Sequence, residues 1–221
     1  DLFRASGISW ATPTDGESVA ALANVMSLTS HARVRVQASE DAVVDERLLD
    51  PGFLAAYRKD IAAHPWARSG TTPISAIDRT GNAAAATLSN GEGSACVVPG
   101  CGIVLNNMLG EEDLHSTGFN RWAVDRRMTS MMAPTLVRLD DGGAIATGSG
   151  GSNRIRSAIV QVLLNILDAG LPVDEAIEAP RIHLEGERLS VEAGIDRERI
   201  SNTLAHYPDH ELWDEPNMFF G

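Results

Sequence analysis

The middle of the chain contains five predicted β-strands in succession, followed by its most apolar helix. A period of two over 72–77 and 83–88, with a turn between them, predicts a β-hairpin. Three further strands are predicted over 102–106 and on either side of the turn at 140–143. The helix that follows, over 153–169, is apolar on nearly all sides and is predicted to be buried. Strands followed by buried helices favour a layered α+β sandwich over an alternating βαβ sheet.

Helices are predicted on both sides of this block of strands. Apolar residues at helical spacing and suitable starting residues predict helices over 16–28, 50–64, 173–179 and 196–206. The stretch 181–192 has the pattern of another hairpin. With 221 residues, the chain is long enough to bury a substantial core without a disulfide or a structural metal.

Charge and cysteine content exclude some classes of function. The net charge of -12 argues against a nucleic-acid partner or an anionic membrane surface, since both require clustered Lys and Arg. There is no run of about 18 apolar residues that would predict a membrane span. Cys96 and Cys101 have no metal-ligand spacing and are either free thiols or a local hairpin disulfide. The cellular compartment is left open.

The sequence ATGSGGSNRI, 146–155, predicts a glycine-rich turn between a strand and a helix. Backbone N–H groups gathered at such a turn favour an anion, either a phosphate or the oxyanion of an acyl-transfer reaction. A dinucleotide-binding turn needs a third glycine where Asn153 stands, and the lysine of a phosphate-binding loop is absent. The remaining interpretations are an oxyanion site and a purely structural turn.

The first hairpin begins with two threonines, Thr71 and Thr72, directly after Gly70. A threonine hydroxyl is a poor nucleophile unless a base lies beside it. A threonine at an amino terminus can use its own α-amino group, whose pKa is about 7.7–8.0. This chemistry requires cleavage of the bond between Gly70 and Thr71. Without cleavage, the two threonines reflect ordinary β-strand propensity.

Four motifs occur in an order that resembles the gamma-glutamyltransferase (gamma-glutamyl transpeptidase) family. They are TTPISAIDRTGNAAAATLSNGEG, PGCGIVLNNMLGEED, RRMTSMMAPTLV, and TGSGGSNRI followed by VLLNILDAGLPVDEAIEAPRIH. The resemblance covers about 71–205 well and 1–70 loosely. It implies an amino-terminal nucleophile hydrolase with a four-layer αββα sandwich, of which this chain is a part. Residues 1–70 would be the carboxyl-terminal part of the large-subunit region and 71–221 the small-subunit catalytic region, truncated at its end.

The resemblance also implies the chemistry. Thr71 would attack the carbonyl of Gly70, cut the precursor, and then form an acyl-enzyme from a γ-glutamyl amide such as glutathione, which water or an amino acid resolves. The family's oxyanion donors correspond to the backbone N–H groups of Gly151 and Ser152. Ser89 corresponds to a threonine whose hydroxyl bonds to the nucleophile. No metal or organic cofactor is implied.

The predicted substrate contacts are less complete. Asn90 and Glu111 correspond to residues that hold the substrate's α-amino group, and Ser130 to a serine that binds its α-carboxylate. Met108 stands in place of a family glutamine and Met131 in place of a second serine. These departures leave three alternatives open: a γ-glutamyl hydrolase or transferase, a homologue acting on a different amide, and an uncut, inactive fragment. The implied partners are the small-molecule substrate, the acceptor and the large-subunit segment, with no nucleic acid or membrane.

Overall fold

The computed structural model describes only part of the chain. The described residues are 10, 15–38, 71–91, 93, 94, 96–111, 114, 122, 124, 125 and 127–221, with the backbone alone over 28–38. The predicted helix over 50–64 and Gly70 lie outside them. The chain divides into two compact units, Asp1–Arg33 with Asn153–Gly221, and Val34–Ser152. The predicted domains, 1–70 and 71–221, are divided at the proposed cleavage site of the precursor. The division into two compact units does not test that prediction.

In the unit Val34–Ser152, the predicted first hairpin is confirmed. Strand β1, Thr71–Ile77, pairs with β2, Ala83–Ser89, in antiparallel register, with Thr71 opposite Ser89. The turn between them forms because the carboxylate of Asp78 accepts hydrogen bonds from the backbone N–H groups and side chains of Thr80 and Asn82. Among the described strands, β1 pairs with β2 alone, which agrees with the edge position expected for a strand containing Pro73.

A second, smaller hairpin contains both cysteines. Strand β3, Val97–Val98, pairs with β4, Ile103–Val104, so the strand predicted over 102–106 is shorter than expected. Cys96 and Cys101 are exposed free thiols, which decides between the two alternatives left open by the sequence.

The third hairpin determines where the glycine-rich turn lies. Strand β5, Thr135–Arg138, pairs antiparallel with β6, Ala144–Thr147, through the predicted turn. That turn contains Gly142 at a φ of 89°, in the left-handed region that favours glycine. Strand β6 lies against both β1 and β2. The glycine-rich turn, which begins at the carboxyl end of β6, therefore lies next to the first hairpin.

The other unit combines helices with a three-stranded sheet. Helix α1, Gly16–Ala38, belongs to this unit as far as Arg33. The other elements are α2 Arg154–Leu167, α3 Val173–Glu178, β7 Ile182–Glu185, β8 Arg188–Val191, α4 Ser201–His206 and β9 His210–Leu212. Strands β7 and β8 form the predicted hairpin, and β9 runs parallel to β8. The core of this unit consists of apolar side chains, including Val19, Leu22, Ile182, Leu189 and Ile200.

The prediction that α2 is buried on nearly all sides is only partly right. Val160 and Leu167 are 41% and 40% exposed, whereas Gln161 and Asn165 are buried. The reason is hydrogen bonding: Gln161 Oε1 accepts from the N–H of Ile182 at 2.8 Å, and its Nε2 donates to the carbonyl of Ile182 at 2.9 Å. No helix in the described part of the chain is both long and apolar enough to span a membrane.

Candidate active site

Thr71 lies at the start of β1, with its hydroxyl beside that of Ser89 on β2. The two oxygens, Thr71 Oγ1 and Ser89 Oγ, are 3.1 Å apart. Ser89 Oγ also accepts a hydrogen bond from the N–H of Gly91 at 3.0 Å, which fixes the serine side chain. The antiparallel register creates this pair, since it sets Thr71 directly opposite Ser89. The structure therefore brings together two of the residues predicted to act in catalysis.

The glycine-rich turn after β6 runs close along the first hairpin. A Cβ atom on Gly148 would lie 2.8 Å from Cβ of Pro73, and one on Gly150 would lie 3.1 Å from the carbonyl oxygen of Thr71. Neither position has room for a side chain without movement of its neighbours. These two glycines are thus explained by the close approach of the turn to the Pro73 ring and to the backbone of Thr71.

The next two residues of the turn have left-handed backbone conformations. Gly151 has a φ of 108° and Ser152 a φ of 53°. For a residue with a Cβ atom, this region costs about 1–2 kcal/mol, and such strain is concentrated at functional sites. Successive backbone N–H groups in turns of this kind form concavities that bind anions. A turn with this conformation beside a hydroxyl is suited to stabilise an oxyanion.

A carboxylate approaches the loop that follows Ser89. The side chains of Glu111 and Asn107 lie against the Cα atom of Gly91, whose φ is 62°, so that no larger residue fits there. Asn107 Oδ1 accepts a hydrogen bond from the N–H of Gly93 at 3.1 Å. The carbonyl of Asn90 accepts from the N–H groups of Gly93 and Asn107. Sequence reasoning missed Asn107, because its position depends on the path of two loops.

The remaining predicted residues are placed differently. Ser130 is exposed, and its Oγ accepts a hydrogen bond from the N–H of Met132 at 3.0 Å. Within the described residues, no hydrogen bond links Ser130 to Thr71 or Ser89. Met108 and Met131 are buried, with 8% and 6% of their surface exposed. In the part of the chain that the structure describes, no group of three His, Cys, Asp or Glu side chains could hold a metal ion.

Comparison with known proteins decides the family. The family model described as gamma-glutamyltranspeptidase matches residues 4–221, nearly the whole chain. The chain belongs to the gamma-glutamyltranspeptidase family. The resemblance drawn from the four motifs is therefore confirmed.

Individual relatives include two kinds of enzyme. The chain is 33% identical over 150 residues to the glutathione hydrolase proenzyme of Escherichia coli (strain K12), covering 62% of this chain and 26% of that protein. It is 35% identical over 127 residues to the acylase ACY 1 proenzyme of Pseudomonas sp. (strain SE83), covering 57% of this chain and 23% of the acylase. The matched part of the chain thus spans about a quarter of each of these relatives.

The solved structures agree with the family. The gamma-glutamyltranspeptidase from Pseudomonas nitroreducens complexed with L-DON matches with a TM-score of 0.54 and 28% identity, covering 66% of this chain and 84% of that chain. Such matches confirm the predicted α+β fold class of the amino-terminal nucleophile hydrolases, here present in part. The roles of single residues in this gamma-glutamyltranspeptidase family member remain predictions.

Proposed function

We propose that this chain carries the nucleophile of a γ-glutamyl hydrolase or transferase precursor, and that the nucleophile is Thr71. One observation carries the proposal: the Thr71 hydroxyl is paired with that of Ser89 at 3.1 Å, while the 148–152 turn lies against the Thr71 backbone. The proenzyme names of the relatives support it. In this proposal, residues 1–70 are the end of the large subunit and 71–221 belong to the small subunit.

The first proposed reaction is self-cleavage. The Thr71 hydroxyl oxygen attacks the carbonyl carbon of Gly70, the bond from that carbon to the Thr71 nitrogen breaks, and the hydroxyl proton passes to the nitrogen. This acyl shift leaves an ester on Thr71 and a free amine. Water then hydrolyses the ester, which releases the carboxylate of Gly70 and restores the hydroxyl. Ser89 holds the hydroxyl in position throughout.

The second proposed reaction is turnover. The freed amine accepts the proton of the Thr71 hydroxyl, whose oxygen attacks the γ-carbonyl of the substrate. The resulting oxyanion is stabilised by the backbone N–H groups of Gly151 and Ser152, and each such donor contributes about 3 kcal/mol to lowering the barrier. The proton passes to the departing amine, and water or an amino acid resolves the acyl-enzyme. Because backbone groups donate, a serine at 152 is compatible with this role.

The proposed substrate is a small γ-glutamyl amide such as glutathione. Glu111, which lies against Gly91 next to Asn90, would pair with the substrate's α-ammonium group. Ser130 would bind the α-carboxylate. The large-subunit segment of the same precursor is the proposed protein partner.

A second candidate is a homologue that hydrolyses a different acyl amide. It is favoured by the relative named as an acylase and by the two buried methionines. Met131 cannot donate a hydrogen bond to the α-carboxylate, and Met108 offers only a weak acceptor to the α-ammonium group.

The two candidates are separated by assaying the full-length precursor with a panel of chromogenic γ-glutamyl and simple acyl anilides. The leading proposal predicts hydrolysis of the γ-glutamyl compounds at least about tenfold faster than the acyl ones. The reverse preference supports the second candidate. Equal activity in the wild type and in Thr71→Ala would contradict both.

A further inference from the structure

The first turn of helix α2 is tied to strand β7 by two pairs of side chains. Asn153 and Ser157 are four residues apart at the start of α2, so they lie on the same face of the helix. His183 and Glu185 are two residues apart on β7 and share one face of that strand. Nδ2 of Asn153 donates a hydrogen bond to Oε1 of Glu185, and Nδ1 of His183 lies 2.8 Å from Oγ of Ser157. The helix is therefore joined to the strand at two points, about one turn apart.

The inner of these two pairs, Ser157 with His183, belongs to the core. The two residues are 7% and 6% exposed. The Ser157 hydroxyl donates to the carbonyl of Arg154 at 2.9 Å, so the hydrogen bond between Ser157 and His183 is donated by Nδ1 of the ring. This pair fixes α2 one turn after its start, and its replacement would disturb the packing around it.

The outer pair uses a side chain of a type that commonly caps helices. Asn153 is the N-cap residue of α2, but its side chain makes no capping hydrogen bond within the described helix and donates to Glu185 instead. Glu185 is half exposed. The His183 side chain, followed by Asn153 and Arg154, lowers the pKa of Glu185 against the opposing effect of burial, so its carboxylate is ionised at neutral pH. Hydrogen bonds to an ionised acceptor are about twice as strong as those between neutral groups.

Asn153 directly follows the two residues of the glycine-rich turn that have left-handed backbone conformations. Gly151 and Ser152 have φ values of 108° and 53°. The strained conformation of Ser152 persists only where the surrounding structure fixes it. On one side the turn lies against the backbone of Thr71, and on the other the peptide bond joins Ser152 to Asn153, which is 4% exposed. Glu185 therefore restrains the carboxyl-terminal end of the turn through one hydrogen bond and one peptide bond.

We propose that Glu185 is a positioning residue for the oxyanion site. By holding Asn153, it keeps the N–H groups of Gly151 and Ser152 directed at the oxyanion that forms when Thr71 attacks. This inference rests on the proposed function, since the turn acts as an oxyanion site only there. Donors that are held in advance act on the transition state more than on the bound substrate. Loss of the Glu185 carboxylate should therefore lower kcat and leave KM nearly unchanged.

The first test is steady-state kinetics of the cleaved full-length enzyme with a γ-glutamyl anilide, with active sites counted by the fragment that begins at Thr71. In Glu185→Ala we expect kcat to fall about 5- to 100-fold and KM to change by less than about twofold, because the donors are misplaced. Glu185→Gln keeps an oxygen that accepts from Asn153 and should restore kcat to within about threefold of the wild type. Glu187→Ala, at an exposed position in the turn between β7 and β8, is the control and should have wild-type kinetics.

A double variant tests whether Glu185 acts through Asn153. Asn153→Ala removes the donor of the hydrogen bond, so adding Glu185→Ala to it should lower kcat by no more than about twofold further. Independent effects of the two substitutions would multiply instead, and such a result would overturn the proposal.

The second test measures the turn itself and requires no reaction. Hydrogen exchange of the uncut Thr71→Ala precursor is followed by mass spectrometry of the peptide that contains 148–156. We expect exchange at least about fivefold faster when Glu185→Ala is added, and an unchanged rate with Glu185→Gln or Glu187→Ala.

The two tests separate failure of this inference from failure of the proposed function. If the exchange rates differ as expected while the wild type neither cuts itself nor turns over substrate, the proposed function is wrong and the restraint on the turn is supported. The positioning role is overturned if Glu185→Ala exchanges like Glu187→Ala, if its kcat equals that of the wild type, or if only its KM changes.

Discussion

The hydroxyl pair of Thr71 and Ser89 is the smallest feature on which the proposed chemistry depends. Ser89 is held by the N–H of Gly91, so its oxygen is in place before Thr71 is freed. Positioned groups of this kind contribute to catalysis by fixing the attacking atom.

Ser89→Ala should therefore slow cleavage of the full-length precursor. Loss of one hydrogen bond, worth about 0.5–1.5 kcal/mol, corresponds to a rate about 2- to 13-fold lower. Ser89→Thr keeps the hydroxyl and should cleave at a rate near that of the wild type. The time course of the two fragments on a denaturing gel measures the effect. Ser75→Ala, on exposed β1, is the control, and an equal rate for it and Ser89→Ala would contradict the role of Ser89.

The carboxylate of Asp78 gives a pH-dependent prediction in the first hairpin. Hydrogen bonds from Asn82, and then from Thr80, lower its pKa from 3.8 to about 2. Because the folded pKa lies below the ordinary one, the ionised group stabilises the fold above pH 3.8, and this contribution is lost as the pH falls toward about 2.

Asp78→Asn should consequently be less stable than the wild type at neutral pH, and the difference should shrink as the pH falls from 3.8 to about 2. Urea unfolding at a series of pH values measures it. Asp140→Asn, at an exposed position in the turn between β5 and β6, provides a comparison at another aspartate. A difference for Asp78→Asn that stays constant across this pH range would contradict the explanation.

Many of these residue-level features were predictable, and some were not. The pairing of Thr71 with Ser89 was implied by the family resemblance, and the register of the first hairpin agrees with it. The contact of Glu111 and Asn107 with Gly91 does not, because it depends on how two irregular loops fold together. The left-handed conformation of Ser152 is likewise a property of the folded turn, since serine has no preference for it.

Among the elements, the glycine-rich turn is explained by its approach to β1. Gly150→Ala would set a Cβ atom 3.1 Å from the carbonyl oxygen of Thr71. We expect it to lower the free energy of unfolding by about 1–3 kcal/mol, because the turn or the strand must move. Precursor cleavage should slow as well, since Thr71 moves with its backbone. Denaturant unfolding and the cleavage time course measure the two effects.

The matched control for this substitution is Gly110→Ala. Among the described residues, its Cβ atom would meet only Asn107 Nδ2, at 3.9 Å. Gly110→Ala should therefore leave both stability and cleavage nearly unchanged. Equal unfolding free energies and equal cleavage rates for Gly150→Ala and Gly110→Ala would contradict this explanation of the turn.

Helix α2 shows why hydrophobic pattern alone misjudged burial. Its buried face contains Ser157, Gln161 and Asn165, four residues apart, each bonded to a neighbouring element or to the helix itself. A count of apolar residues on a helix does not show that the backbone of a neighbouring strand supplies hydrogen-bond partners for buried polar side chains such as Gln161. Strand β9 was not predicted for a similar reason. Three residues are too few to show a hydrophobic alternation, and the strand is stabilised by its pairing with β8.

Gln161→Leu should be clearly destabilising even though it makes the helix more apolar. It would leave the N–H and the carbonyl of Ile182 without their buried partner, at a cost of about 2–4 kcal/mol. Thermal or urea unfolding measures the loss. Asn202→Leu, at an exposed position of α4, serves as the control. A Gln161→Leu protein as stable as the wild type would show that these hydrogen bonds contribute little.

The whole chain combines a well-packed unit with one that exposes apolar strands. Among the described residues of Val34–Ser152, six large apolar side chains are more than half exposed along β1 to β5: Ile74, Ile77, Leu88, Val97, Ile103 and Leu136. This exposure suits contact with other segments or chains. It agrees with the proposal that the large-subunit region of the precursor packs with this chain.

The central claim is that the precursor cuts itself at the bond between Gly70 and Thr71. The most direct measurement is the intact mass, with amino-terminal sequencing, of the purified full-length precursor after incubation. We predict two polypeptides, one of which begins at Thr71, from the wild type and from Thr72→Ala, and a single uncut polypeptide from Thr71→Ala. An uncut wild type, a cut at another bond, or normal cleavage of Thr71→Ala would contradict the account.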